Sequence, residues 1–429
     1  MKSSRKLITI LEYGFILTII FNFRTVWLYT GNSNFSFLIR ALGYASILTL
    51  IFMYLYLYRP RFSSRLVGWM LIPVITNTAL SIWSYAKIQS STLLLTNLYF
   101  DFALLLAYTA VHVRRFQELL RHFVQVMYWI TSGSIIFWLA ALFRIPTDSV
   151  ISTNWATGYP QMIPGYLHVY FLSQGYHSFL GIMLPRNTIF FTEAPMAAFM
   201  IASALLVYSF MVKNSGRISI DKVQWILLIG IVTTGSTTGF LIAILTVTFD
   251  WLKNVRMSIV ILVGALFVLP VLGTLVIRVL EQKQAADLSS VTIRMDDIHA
   301  GIQAWLTHPV LGYGLGQTRG YLEFIQPGRL QLGGNQGYSA GVLELLMTGG
   351  IVYLLQLVLV PLIVLAIHKK SFLFMGALFF TLLFNTVTYG TFMISFISVV
   401  FYGRLIEDAG GQQEMPVYTS VAKRGRAIL

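Results

Sequence analysis

The chain has 429 residues, of which 56% are hydrophobic and only 11% charged, at a mean hydropathy of +0.73. That balance excludes a soluble domain and a disordered chain alike, and it predicts a polytopic membrane protein. Cysteine is absent, which removes disulfides, thiolate nucleophiles and Cys-based metal sites.

Helices cross the hydrocarbon in spans of roughly 20 apolar residues, because backbone N–H and C=O groups find no water there. Twelve such spans are predicted. They run near Leu7 to Phe23, Phe37 to Tyr58, Leu66 to Ala86, Thr92 to Val111, Glu118 to Phe143 and Thr188 to Val212. The second half continues with Val223 to Thr234, Thr237 to Leu252, Ser258 to Leu280, Gly341 to Ile367, Phe372 to Tyr389 and Phe392 to Arg404. The first apolar stretch follows Met-Lys-Ser-Ser-Arg-Lys without a small-residue cleavage site, as a signal anchor does, and Arg24 and Trp27 follow it as interface residues would.

Loop charge sets the orientation. With the N-terminus in the cytoplasm, the inside segments carry Lys2, Arg5 and Lys6; Arg59, Arg61 and Arg65; Arg114, Arg115 and Arg121; and Lys213, Arg217 and Lys222. They also carry Lys253 and Arg256; Lys369 and Lys370; and Arg404, Lys423, Arg424 and Arg426. Every inside loop is basic, so topology accounts for the net charge of +14 without nucleic acid. Both termini are placed in the cytoplasm. The chain is read as one integral membrane domain over 1–429, with long outer loops at 145–186 and 281–340 and a cytoplasmic tail at 405–429.

The first outer loop holds Trp155, Tyr159, Tyr166, Tyr170, Tyr176, His168 and His177. Rings of this kind stack on sugars, or sit at headgroup level as an aromatic belt. Arg186 ends the loop, where a guanidinium fork can address a diphosphate. Glu193 follows seven residues later, placed by the apolar run just inside the membrane. An ionisable residue there must face protein or a wet cavity, so Glu193 is either a working carboxylate or, if the helix starts early, the structural partner of Arg186. Glu12 and Asp101 lie within spans away from the long loops and read as helix-packing or lumen-facing polar residues.

In the second outer loop, Ile293, Ile298, Ile302 and Trp305 space as one face of an amphipathic helix over Ser290 to Leu306. Asp296 and Asp297 are adjacent and are expected on different faces, which argues against a metal pair. The helix stops at His308-Pro309; Gly312, Gly314, Gly316 and Gly320 follow, and the chain returns through Gly333-Gly334-Asn335-Gln336-Gly337-Tyr338-Ser339. Arg294, Arg319 and Arg329 have no topological reason to face outward, so they point to an anionic ligand or to anionic headgroups.

Three stretches carry a family resemblance. RMDDIHAGIQAWLTHPVLGYGLG from Arg294 to Gly316, followed by the LLMTGGIVYLL helix start, resembles the signature of the O-antigen ligase and Wzy-type polysaccharide polymerase superfamily. The run Arg186-Asn187-Thr188-Ile189-Phe190-Phe191-Thr192-Glu193-Ala194-Pro195 is similar to the Arg, Phe and Glu-Pro segment of Wzy-type polymerases. Thr234-Gly235-Ser236-Thr237-Thr238-Gly239 resembles the polar break between two helices of that family. Together they cover roughly residues 186–355.

The resemblance implies an all-α polytopic fold of about 12 transmembrane helices, GT-C-like, with two large extracytoplasmic loops carrying short helices. It implies a polymerase of O-antigen or capsule type in the bacterial cytoplasmic membrane, a glycosyltransferase with no metal or nucleotide cofactor. Such an enzyme moves a glycan from undecaprenyl diphosphate onto another lipid-linked repeat unit at the outer face, with a flippase and a chain-length regulator as partners and no nucleic acid. Glu193, Arg186 and Arg294 are then the catalytic candidates. His168, His177, His308, Tyr313, Arg319, Asn335, Tyr338 and Ser339 are candidates for substrate contact. Ligases of the superfamily place His-Asn where this chain has Tyr338-Ser339, which moves proton acceptance toward Glu193, with the histidines in reserve. For His308 a helix-stop hydrogen bond is the competing role. The rival readings are an O-antigen-type ligase, a lipid-linked oligosaccharide flippase or other transporter, and a cell-wall polymerase; transporters show paired broken helices and repeated halves, and no such repeat is visible.

Overall fold

The computed structural model describes residues 2–31, 33–155, 160–179, 182–213, 220–252, 288–327, 338, 340–359, 370–384 and 390–410. The described residues form twelve α-helices. The first eight are α1 Lys2–Phe21, α2 Ser33–Tyr58, α3 Ser64–Ile88, α4 Ser91–His112, α5 Phe116–Leu142, α6 Ala194–Val207, α7 Lys222–Thr234 and α8 Thr237–Leu252. The remainder are α9 Leu288–Thr307, α10 Gly341–Leu354, α11 Lys370–Phe384 and α12 Phe392–Gly410. α9 is the expected amphipathic helix, and the others fall on predicted spans. The span near Ser258 to Leu280 lies outside the described residues.

Five of these helices are long and apolar enough to cross a membrane, within 34–58, 66–88, 93–112, 116–142 and 194–212, and shorter apolar helices join them. Phe52, Ile75, Trp129 and Ile136 stand on their exposed faces, as a lipid-facing surface requires. Local chemistry sets several ends. Asp221 and Gln224 form a capping box that starts α7, and left-handed Gly235 ends it. The last helix continues to Gly410, with Arg404 paired to Glu407 and Asp408, so the tail expected from 405 begins as helix.

Glu12 is a buried staple. Its Oε1 accepts from Tyr54 Oη at 2.6 Å and Arg115 Nε at 2.9 Å, its Oε2 accepts from Arg115 Nη2 at 2.5 Å, and His122 Nδ1 lies 2.9 Å away. One carboxylate thus ties α1, α2 and α5 and the α4–α5 turn together.

At one end of the bundle the connections converge. Thr192 N donates to Arg24 O and Val26 N to Phe190 O, so the residues after α1 pair with those before α6. Asn187 N donates to Thr233 O at the end of α7. Leu315 N donates to Ser84 Oγ near the end of α3, and Phe392 N, opening α12, donates to Asn22 Oδ1.

The first long loop corrects the expectation of short helices. It folds into two antiparallel sheets: β1 Ser149–Thr153, β2 Gln161–Tyr166 and β3 Tyr170–Phe171, then β4 Tyr176–Phe179 with β5 Ile182–Pro185. Ser149 pairs with Gly165, Tyr166 with Tyr170 and His177 with Leu184. Tyr166 and Tyr170 stack with Phe137 of α5, so these rings anchor the sheet rather than face solvent.

In the second loop, α9 buries Asp297, Ala300, Gly301 and Ala304, while Ile302 is exposed. The most buried stripe is therefore shifted toward the small residues, beside Ile298 and Trp305, which still pack against the core, because small residues let α9 approach α10 closely: a Cβ on Gly301 would sit 3.0 Å from Leu343 Cβ. Asp296 and Asp297 are both buried instead of divided between faces, and Asp296 Oδ1 accepts from Gln326 N at 3.3 Å.

α10 is broken at Gly350, whose φ of 63° and ψ of −168° interrupt the helix. The segment 309–314 repairs the break. Tyr313 N and Gly314 N donate to Met347 O and Thr348 O, and Ile351 N and Val352 N donate to Pro309 O and Val310 O. A side chain at Gly350 would meet Val310 O at 2.1 Å, and one at Gly312 would meet Met347 O at 2.5 Å, so both positions require glycine.

Candidate active site

Arg186 leaves β5 and is fixed from both sides. Its backbone N donates to Gly175 O at 3.0 Å, and its side-chain Nε donates to Thr234 O at 3.1 Å. Next to it, wholly buried Asn187 gives Nδ2 to Ser134 Oγ on α5 and Thr233 Oγ1 on α7. Arg186 is thereby pinned where the two helices meet the sheets.

A pocket opens there, lined by Arg186 and Arg294, by Pro195, Ala198 and Phe199 of α6, by Ser236, Thr237, Thr238 and Gly239, and by Leu382. The polar break is the start of α8, where Ser236 Oγ accepts from Gly239 N at 3.3 Å. A helix start and two guanidinium groups on one cavity make an environment for an anion. Burial pulls the Arg186 pKa below the ordinary arginine value, Glu193 works against that, and the positive charge of Arg294 adds to it. An incoming anion relieves that repulsion.

Glu193 caps α6 in extended conformation, with Pro195 in the first turn. The expected span from Thr188 thus begins only at Ala194, and Arg186 and Glu193 do not share a helix face. Glu193 Oε1 accepts from Trp155 Nε1 at 2.9 Å. Arg24 lies over the Trp155 ring at 5.3 Å from its centroid, and its Nη1 donates to Tyr29 Oη at 3.3 Å.

The other sequence candidates scatter. His168 is exposed on the β2–β3 turn, its backbone N bound to Ser149 Oγ. His177 lies in β4. His308 is exposed after α9; its Nδ1 is 3.0 Å from Thr307 Oγ1 and its ring 4.4 Å from that of Tyr313, whose Oη meets Thr307 Oγ1 at 2.9 Å. That geometry fits a helix stop. Tyr338 is half-buried with its ring 4.6 Å from that of Tyr321. Arg319 lies in the 3-10 turn Thr318–Glu323. Arg329, Asn335, Ser339 and Tyr159 lie outside the described residues. Among the described residues, Arg186 and Arg294 are the sequence candidates that share the pocket.

Two residues of this region escape a sequence reading. Arg24 looks like an interface residue, although the argument that flagged Arg294, an arginine on the outer side without topological cause, applies equally to it. Glu344 lies inside the predicted Gly341 to Ile367 span, and an intramembrane carboxylate is itself the signal.

Residues 223–358 match a family model described as O-antigen ligase. The match contains Arg294, the Ser236–Gly239 turn and Glu344; Arg24, Trp155, Arg186 and Glu193 lie outside it. No curated protein and no solved structure matches the chain.

Proposed function

We propose, on the support of the match of residues 223–358 to the O-antigen ligase model, that this chain is a polysaccharide polymerase that transfers a glycan from a polyprenyl diphosphate onto a second lipid-linked repeat unit. The observation that carries the reading is the shared pocket of Arg186 and Arg294 at the start of α8. In the transfer, the acceptor hydroxyl oxygen attacks the anomeric carbon, the bond from that carbon to the diphosphate oxygen breaks, and the electron pair leaves with the lipid diphosphate. Two preorganised guanidiniums and helix N–H groups stabilise that developing charge without a metal. The acceptor proton passes to Glu193, the half-buried carboxylate beside the pocket. The converging end of the bundle, with its sheets and α9, then faces the outside of the cytoplasmic membrane, with both termini inside.

The description of the matched family as O-antigen ligase favours a second reading, transfer onto a different lipid-anchored acceptor. Purified protein in liposomes, given only its lipid-linked repeat unit and neither nucleotide sugar nor ion gradient, distinguishes the readings. Lengthened lipid-linked chains on a gel support the polymerase. Transfer only when a second, unlike acceptor lipid is added supports the ligase, and movement across the bilayer without new glycosidic bonds makes the chain a flippase.

A further inference from the structure

Beside the arginine pocket lies a second polar cluster, of which the reaction uses only Glu193. Arg24 stands over Trp155 and reaches Tyr29; Trp155 Nε1 holds Glu193; the Tyr29 and Trp155 rings meet edge-on at 4.5 Å. Burial works against the Arg24 charge, but Tyr29 and the carboxylates of Glu344 and Glu193 outweigh it and hold its pKa above the ordinary arginine value. Glu344 approaches from the first turn of α10 with its side chain 4% exposed, and its Oε2 has no hydrogen-bond partner among the described residues.

The cluster therefore has unused capacity of both signs. A guanidinium carries five N–H donors, and the described hydrogen bond of Arg24 is the long one to Tyr29. A carboxylate oxygen left dry and unpartnered is unfavourable, and a native fold keeps such a group where something else meets it. A phosphate would suit Arg24 but be repelled by Glu193 and Glu344. A cation would meet the reverse difficulty, and an apolar chain would leave both signs unmet. A pyranose answers all three features: its hydroxyls donate to carboxylates and accept from a guanidinium, and its C–H face lies on an aromatic ring.

We propose that Arg24, Trp155, Glu193 and Glu344 form a pyranose subsite that holds the acceptor sugar, with Glu193 at the hydroxyl that reacts. This rests on the transferase reading and deepens it: the arginine pocket takes the diphosphate of the donor, and the cluster takes an uncharged glycan. Glu344 and Arg24 are then substrate contacts that fix which hydroxyl Glu193 addresses.

The test separates the two sites. Repeat-unit glycan, released from its lipid diphosphate by mild acid and labelled at its reducing end, is titrated against the purified full-length protein in detergent, with inorganic pyrophosphate titrated in parallel. Wild type binds both without competition. Glu344→Gln and Arg24→Gln weaken glycan binding about tenfold or more, as loss of a charged hydrogen bond does, and leave pyrophosphate binding alone; Arg186→Lys does the reverse. Trp155→Ala, on the loop, provides the same readout if the other variants fold poorly. Glycan that does not bind wild type, binds these variants equally well, or is displaced by pyrophosphate overturns the subsite. The transferase reading fails separately, if wild type binds the glycan yet forms no new glycosidic bond in proteoliposomes; and if these variants lose glycan while Glu193→Gln still elongates lipid-linked chains at the wild-type rate, the subsite stands and the proton-acceptor role does not.

Discussion

Two carboxylates in the helical bundle, Glu12 and Glu344, are equally remote from solvent and have opposite surroundings. Glu12 meets Arg115 in a fork, Tyr54 and His122, so its lone pairs are occupied by protein. Glu344 shares Arg24 with Glu193 at longer range and keeps an oxygen without a partner among the described residues. A charge that the protein satisfies internally serves architecture, whereas one left unfinished beside a loop waits for something that is not protein. The contrast sorts substitutions into those that lower stability and those that lower turnover.

The largest effect is expected at the unfinished side. Glu193→Gln keeps shape and hydrogen bonding but removes the basic oxygen, and elongation in proteoliposomes should fall about 10²–10⁴-fold while the melting profile stays that of wild type. If elongation persists and a substitution at His168, His177 or His308 abolishes it, proton acceptance belongs to a histidine. At the finished side, Glu12→Gln leaves the half-buried Arg115 against a neutral group and should lower stability by about 3 kcal/mol, read by denaturation in detergent. Elongation per folded molecule should not change; a loss of turnover without a loss of stability would break the comparison.

Arg186→Lys retains charge and loses the fork. A reduction of about tenfold to a hundredfold in elongation is expected, with correct insertion as checked by protease accessibility. The smallest effect sharpens the contrast most: Glu344→Gln should leave stability within about 0.5 kcal/mol of wild type, or raise it, because it removes a buried carboxylate oxygen that has no hydrogen-bond partner among the described residues and meets Arg24 only at longer range. A large destabilisation there would make Glu344 a second staple and dissolve the distinction.

Much of the scaffold was legible because hydropathy over a helix length is a strong signal, and every described span lies within a few residues of its expected place. The β-strands were not legible for a specific reason. The β2–β3 turn uses Leu167 and His168 at φ 52° and 54°, where the usual hairpin signal would be Asn-Gly or Asp-Gly, and the alternation in Ser149–Thr153 is too short to compete with a loop reading. Arg186 and Arg294 were legible as candidates through motif and through charge in loops read as lying on the outer side. Their meeting in one pocket depends on Asn187 bridging α5 and α7, a contact that no local pattern announces. The position of Glu193 was half legible: it was expected within a span, but it caps α6, and its Trp155 partner comes from a loop whose fold was not foreseen. Arg24 shows the limit most plainly, since its neighbours arrive from three separate stretches of chain.

The break at Gly350 also constrains how the protein is made. A helix that enters lipid with an open turn carries unmet amide and carbonyl groups, each unfavourable by several kcal/mol in hydrocarbon. Here those groups belong to Met347, Thr348, Ile351 and Val352, and their partners are Pro309, Val310, Tyr313 and Gly314. The partners precede α10 in the chain, so they have left the ribosome before α10 does. Biogenesis can therefore seat α10 against an already emerged segment, and the order of synthesis supplies the patch that the interrupted helix needs at the moment it leaves the translocation channel.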